Sequence, residues 1–158
     1  MNRIEGKRSR YFWKIMENVV LLVFICMLIL VISQVFFRYV LRISVPWTEE
    51  AARWFYIWQI FLGSALAMKY KLHIRVVFMR EKLSPAMQKW LDLGSVLLGL
   101  AFFGGVWWGA ISMMRTMYPI YAASFNVRMT YLYLSIPVGV GLMIYLILKD
   151  LRGKLKSK

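Results

Sequence analysis

Residues 15–37 read IMENVVLLVFICMLILVISQVFF, and Glu17 is the only charged side chain in this run. A helix needs about 20 apolar residues to cross the hydrocarbon layer of a membrane. The run lacks the polar–apolar alternation of barrel strands, so it predicts a transmembrane helix. It is also longer than the apolar region of a signal peptide, and no small-residue cleavage site follows it. We therefore expect this helix to remain in the mature protein.

Three further apolar runs predict three more helices of the same kind. The 158 residues are 61% hydrophobic, against about 45–50% in an ordinary soluble domain. The predicted fold is an all-α integral membrane protein, a single membrane domain over residues 1–158 with additional interfacial helical segments. The four predicted spans are residues 15–37, 49–68, 91–114 and 131–148.

The positive charges predict the orientation of these spans. Of the 21 Lys and Arg residues, 16 lie in the tail 1–14, the connection 69–89 or the tail 149–158. Cytoplasmic segments of inner-membrane proteins carry most of the positive charge. We therefore expect both termini in the cytoplasm. Only Arg38, Arg42, Arg53, Arg115 and Arg128 then lie on the periplasmic side.

The start of the second helix concentrates polar residues. Trp47 is expected at the outer membrane interface and Thr48 at the N-cap, with Glu49 and Glu50 in the first turn, where the helix dipole favours negative charge. Arg53 lies four residues after Glu49, so an ion pair on one helix face is available. These carboxylates could form a coupling or proton site. We favour interfacial anchoring or subunit contact, because a helix that starts here places both at the membrane surface.

Small residues predict where helices approach closely. Ala101, Gly105 and Gly109 recur every four residues on the third helix, and this stripe could contact either the chain's own bundle or a partner. Gly63 gives the second helix a shorter small-residue stripe. Ser84 and Pro85 predict an early start for the third helix, which we expect to be the longest.

Two further segments are predicted around the last span. Residues 116–130 are expected to form the main periplasmic loop. Pro137 and Gly139 are expected to bend or loosen the fourth helix, which its neighbours can compensate. On the other side of the membrane, the connection 69–89 mixes basic and apolar residues and should lie on the membrane surface. It contains His73, the only histidine, which we expect to form interfacial hydrogen bonds.

Several kinds of chemistry lack the residues they need. With one histidine and one cysteine, Cys26, the chain has no zinc-ligand spacing and cannot supply two histidine ligands to a haem. No glycine-rich phosphate loop is present. The net charge of +14 is distributed as a membrane topology signal rather than a nucleic-acid footprint. We therefore expect no enzyme activity, no cofactor and no nucleic-acid partner.

Four short motifs, in order, resemble a known family. They are WTEEAAR at 47–53, FLGSA at 61–65, HIRV at 73–76 and SIPVG at 135–139. This order is similar to the small membrane subunit (DctQ-like, or Q subunit) of the tripartite ATP-independent periplasmic (TRAP) transporters. Val77 departs from the pattern, because an acidic residue is expected after HIRV.

The resemblance implies a function that depends on partners. A periplasmic substrate-binding protein would deliver an organic acid, such as a dicarboxylate or sialic acid, and a large membrane subunit would move it inward with sodium. The small subunit would brace the large one within the membrane lipids, without a cofactor of its own. By this resemblance Trp47, Glu49, Glu50 and Arg53 fix the outer end of the second helix, and His73 and Arg75 fix its inner exit.

Two alternatives remain open at this point. The chain could be a non-enzymatic anchor or assembly subunit of another bacterial inner-membrane complex. It could also be a subunit of a quinone-linked or other membrane enzyme, although the single histidine argues against that alternative.

Overall fold

The computed structural model describes residues 7–70 and 84–156, and these residues are helical apart from two loops. The helices are α1 (Lys7–Tyr39), α2 (Pro46–Lys69), α3 (Pro85–Thr116), α4 (Thr130–Tyr133) and α5 (Ser135–Lys156). One isolated antiparallel bridge joins Tyr121 to Arg128 in the longer loop. The prediction of an all-α chain is confirmed for the described residues.

Three helical stretches are long and apolar enough to cross a membrane, namely Ser9–Tyr39, Leu93–Thr116 and Thr130–Arg152. They coincide with the first, third and fourth predicted spans. Helix α2 has 24 residues, enough for about 30 Å of hydrocarbon, but Glu49, Glu50, Arg53 and Lys69 make it less apolar than the others. Its crossing of the membrane therefore stays a prediction.

The four long helices pack side by side in the order α1, α2, α5, α3. Helix α1 packs mainly on α2, α2 also packs on α5, and α3 packs on α5. Short loops between neighbours make α1 antiparallel to α2, and the contact of Gly99 with Ile147 fits an antiparallel pairing of α3 with α5. The arrangement is a row rather than a closed bundle.

The helix axes end on two opposite sides of the molecule, which we name the loop end and the tail end. The loop end carries residues 40–45 and the loop 117–129. The tail end carries the start of α1, Tyr70, the start of α3 and the end of α5. Helix α2 therefore runs from the loop end to the tail end, parallel to α5.

The buried core is small and lies mainly on the two central helices. Leu62 and Ala65 of α2 are buried, as are Val140 and Met143 of α5. By contrast, the most apolar window of α1 has no residue buried inside the chain. A row of helices leaves apolar faces uncovered, which a water-soluble protein rarely does but a membrane protein does normally.

The predicted start of α3 is confirmed. Ser84 is the N-cap, its side chain accepts a hydrogen bond from the Met87 amide at 3.4 Å, and Pro85 is the first helical residue. The expectation that α3 is the longest helix is wrong by one residue, because α1 has 33 residues and α3 has 32.

Pro137 lies close to the start of the last span. Helix α4 ends at Tyr133, four residues before Pro137, and Leu134 forms a turn before α5 begins. A proline ring clashes with the carbonyl four residues earlier and cannot donate to it. Leu134 nevertheless keeps α-helical dihedral angles and donates to the Thr130 carbonyl at 2.9 Å. The expected bending or loosening of the fourth helix at Pro137 therefore stays a prediction.

Candidate functional site

Helix α2 starts two residues earlier than its polar pattern predicts. Its N-cap is Val45 and Pro46 is its first residue, so the expectation that Thr48 is the N-cap is wrong. The Thr48 hydroxyl instead donates a 2.7 Å hydrogen bond to the Val45 carbonyl, and Thr48 is buried. Proline favours the first helical position because its fixed φ suits the helix and it has no amide to leave unpaired. Trp47 lies beside it with half of its surface exposed.

The predicted pair between Glu49 and Arg53 is confirmed. Arg53 Nη2 lies 3.5 Å from Glu49 Oε1, and both side chains are more than half exposed. Gln34 of α1 donates a second hydrogen bond to Glu49 at 3.4 Å. Exposed pairs of this kind contribute about 0–1 kcal/mol, so Glu49 links α1 to α2 only weakly.

Glu50 makes a connection that the sequence pattern does not indicate. Its carboxylate accepts hydrogen bonds from the backbone amides of Ala123 and Ser124, at 3.0 and 2.7 Å. Four residues later on the same helix, the Trp54 ring meets Phe125 edge-on at 5.5 Å. Helix α2 thus holds the loop 117–129 at two adjacent points.

That loop is ordered by its own backbone. Ala122 donates to the Val127 carbonyl at 2.8 Å, and Met129 donates to the Ile120 carbonyl at 2.9 Å. The Arg128 guanidinium lies 4.1 Å from the centre of the Tyr118 ring. Hydrogen bonds to the hydroxyls of Tyr121 and Tyr118 raise the pKa of Arg128 above its ordinary value, so this cation stays charged at any physiological pH.

A second polar cluster joins α1 to α2 at the tail end. Lys69 donates to Glu17 Oε1 at 3.1 Å, and the Tyr70 hydroxyl donates to the same oxygen. The Lys69 ammonium also lies 5.0 Å from the centre of the Trp13 ring. Trp13 is buried in the protein. Sequence reasoning missed this cluster. His73 and Arg75, assigned to the same end, lie outside the described residues.

Gly139 marks the closest approach of two helices. A Cβ atom added there would lie 2.6 Å from Phe61 Cβ and 2.7 and 2.8 Å from the Phe61 carbonyl oxygen and carbon. Helix α5 therefore touches the backbone of α2, which only a glycine permits. Nearby, the Trp107 indole of α3 donates to the Pro137 carbonyl at 3.1 Å. Pro137 and Gly139 thus lie where α5 meets both of its neighbours.

The small-residue stripe on α3 points away from the rest of the chain. Ala101, Gly105 and Gly109 are exposed, and a Cβ added at either glycine would meet nothing within 4 Å. Ala110, by contrast, is buried. It follows Gly105 by five residues, a rotation of about 140° around the helix axis, so the two residues lie on different faces. The stripe therefore makes no close contact within the described chain.

Gly63 lines a groove between α1 and α2. The groove has a volume of about 400 Å³, and its other walls include Val20, Phe24, Tyr56 and Gln59. A Cβ added at Gly63 would also meet nothing within 4 Å. The Gln59 side-chain oxygen is buried and has no hydrogen-bond partner among the described residues.

Together, these features define a multi-pass membrane protein built from a row of helices that are joined by polar contacts at both ends. A family model for the tripartite ATP-independent periplasmic transporters, DctQ component, matches residues 27–157. The chain therefore belongs to the DctQ family, the small permease subunits of TRAP transporters, which are inner-membrane transport components and not enzymes. The resemblance carried by the four sequence motifs is confirmed.

Two relatives agree with this assignment. The chain is 32% identical over 114 residues to the isethionate TRAP transporter permease protein DctMQ of Oleidesulfovibrio alaskensis, covering 70% of this chain and 18% of that protein. It is 35% identical over 77 residues to a Haemophilus influenzae protein named as a TRAP transporter small permease protein, covering 49% of this chain and 48% of that one. The chain thus matches less than half the length of each relative.

Proposed function

We propose that this chain braces the large membrane subunit of a TRAP transporter during sodium-coupled uptake of an organic acid delivered by a periplasmic binding protein. The match of residues 27–157 to the DctQ component carries the proposal. The relative named DctMQ supports a large membrane partner, because the part that matches this chain is only 18% of that protein. In this account sodium acts on the large subunit, and the chain itself holds no cofactor.

The proposed topology is four spans with both termini in the cytoplasm. Helix α2 contacts α1 near both ends, through Glu49 with Gln34 and through Lys69 with Glu17. The helix from Glu49 to Lys69 extends about 30 Å, the thickness of the hydrocarbon layer. Because α2 runs back along an apolar spanning helix over that length, it would cross the membrane with it. The loop end would then be periplasmic.

The bracing surface is proposed to be the exposed stripe of α3. Without a hydrophobic driving force between helices in lipid, close backbone approach at small residues favours their association. Ala101, Gly105 and Gly109 offer such an approach and are not used inside this chain. A static brace also needs rigid connections between its own helices, which Glu50 and Gly139 supply through the contacts described above.

The substrate is proposed to be a small organic anion that the binding protein and the large subunit recognise. The Oleidesulfovibrio relative is named for isethionate, a sulfonate. The candidate substrates therefore include sulfonates as well as the carboxylates that the family resemblance implies.

Affinity purification tests the proposal. The tagged full chain is purified from its native membranes in mild detergent, with and without candidate organic anions, and its partners are identified by mass spectrometry. We expect one large polytopic membrane protein, and a periplasmic binding protein when its substrate is supplied. Recovery with redox subunits, or with no large membrane protein, would contradict the proposal.

A further inference from the structure

An open cleft of about 420 Å³ lies at the loop end, between the last turn of α1 and the start of α2. Its lining includes Gln34, Arg38, Arg42, Ser44, Thr48 and Glu49. The cleft differs from the groove between the same two helices nearer the tail end, whose walls are mostly apolar. Its walls are suited to a polar or charged ligand.

The charges of the cleft are unbalanced. Glu49 is its one acidic residue, and Arg53 and Gln34 already bind that carboxylate. Arg38 and Arg42 form neither an ion pair nor a side-chain hydrogen bond with any residue in 7–70 or 84–156. The positive end of the α2 dipole, at Pro46, lies in the same wall. Two cations that are not paired with any described residue therefore face one cavity, whose one carboxylate is bonded to Arg53 and Gln34.

The backbone at Arg42 adds an independent observation. Its φ is +54°, and it is the one described non-glycine residue with a positive φ. This left-handed conformation is disfavoured for residues with a Cβ and tends to occur at functional sites. It is held within the short loop 40–45, where the Ile43 amide donates to the Phe37 carbonyl at 3.1 Å.

In the proposed topology, which this inference assumes, Arg38 and Arg42 lie on the periplasmic side, where positive charge is generally sparse. Two other arginines there have a local partner, since Arg53 pairs with Glu49 and Arg128 lies against two tyrosine rings. An arginine fork matches the oxygens of phosphate, sulfonate and carboxylate groups.

We propose that the cleft binds an oxyanion through Arg38 and Arg42. The oxyanion is either the phosphate of a phospholipid headgroup in the outer leaflet or the acid group of a soluble organic anion. The site belongs to this chain alone and does not require contact with the large subunit.

The test uses the full chain purified in detergent and stripped of lipid. Palmitoyl-oleoyl-phosphatidylglycerol is titrated by native mass spectrometry, and sodium isethionate and glycerol 3-phosphate are titrated by calorimetry. The variants are Arg38→Gln with Arg42→Gln, and Arg38→Lys with Arg42→Lys. Arg115→Gln is the matched control, since Arg115 is predicted on the same side but does not line the cleft.

We expect the glutamine double variant to bind about 25-fold more weakly, since an arginine near an anionic lipid contributes about fivefold in affinity. The lysine double variant should retain part of the binding, and Arg115→Gln should bind as the wild type does. Circular dichroism confirms that each variant remains helical. Loss of lipid binding alone identifies a phospholipid site, and loss of soluble-anion binding identifies a solute site. Equal binding by wild type and the glutamine double variant, or equal loss in Arg115→Gln, would overturn the proposal.

Discussion

Glu49 and Glu50 are adjacent in sequence but hold different parts of the chain. Glu49 pairs with Arg53 at the helix surface, where solvent weakens the interaction. Glu50 accepts two backbone hydrogen bonds from residues more than 70 positions away. Hydrogen bonds to a charged group contribute about 1.5–3 kcal/mol each, and Glu50 is half-buried whereas Glu49 is exposed. Glu50 should therefore matter more than Glu49.

We predict that Glu50→Ala lowers the thermal stability of the purified chain, by about 2 kcal/mol, and increases protease cleavage in the loop 117–129. The alanine leaves the Ala123 and Ser124 amides without their acceptor. Glu49→Ala is the matched control, and we expect it to change stability by less than about 1 kcal/mol. Scanning fluorimetry and limited proteolysis measure both variants. Equal effects of the two substitutions would contradict the assignment of Glu50.

These residues also show what a single sequence can predict. The Glu49–Arg53 pair follows from a spacing of four on one helix, which is local information. The contacts of Glu50 with Ser124 and of Glu17 with Lys69 depend on which helices pack together. Hydropathy does not predict which helices are neighbours, because it describes each helix separately. The sequence indicates Glu50 as a site residue but does not indicate its partner, and it indicates neither member of the Glu17–Lys69 pair.

At the scale of helices, the contact between α2 and α5 depends on Gly139. We predict that Gly139→Ala destabilises the chain by about 1–3 kcal/mol, as overpacking usually does, because the new methyl group would press against the Phe61 backbone. Gly141→Ala on the same helix is the matched control, since its methyl group would lie an ordinary 3.6 Å from the Trp107 indole. Thermal unfolding in detergent compares them.

A stability of Gly139→Ala equal to that of Gly141→Ala would show that the two helices separate more easily than the structure indicates. The sequence predicted that Gly139 is special but gave a different reason, a loosening of its own helix. The structure shows instead that Gly139 allows two helices to touch. A glycine within a helix signals either role, and only the neighbouring helix distinguishes them.

At the scale of the whole molecule, hydropathy and charge predicted the three most apolar helices. They could not settle α2, because its polar residues lower its hydropathy while pairing with α1 and with the loop 117–129. Helix α2 lies inside the row and is covered by a helix on each of two sides. It can therefore carry more polar groups than a helix at the edge of the row.

Cysteine labelling tests the topology. Cys26 is replaced by alanine, and Asn126→Cys or Ser157→Cys supplies the only thiol. We predict that a membrane-impermeant maleimide labels Asn126→Cys in intact cells, whereas Ser157→Cys reacts only after the membrane is permeabilised. Four spans and the positive-inside rule place these positions on opposite sides. Labelling of Ser157→Cys in intact cells would contradict the proposed topology.

The bracing role is tested most directly by changing the exposed face of α3 while leaving the chain's own packing intact. The tagged wild type, Gly105→Ile and Leu98→Ile are purified from native membranes, and the copurified large membrane subunit is quantified. Gly105 has open space around it, and Leu98 is an exposed residue of the same helix. We predict that Gly105→Ile recovers roughly tenfold less large subunit, since overpacking a close helix contact costs about 1–3 kcal/mol, while Leu98→Ile and the yield of the chain itself stay unchanged. Undiminished recovery with Gly105→Ile, or a wild type that carries no large membrane protein, would contradict the account.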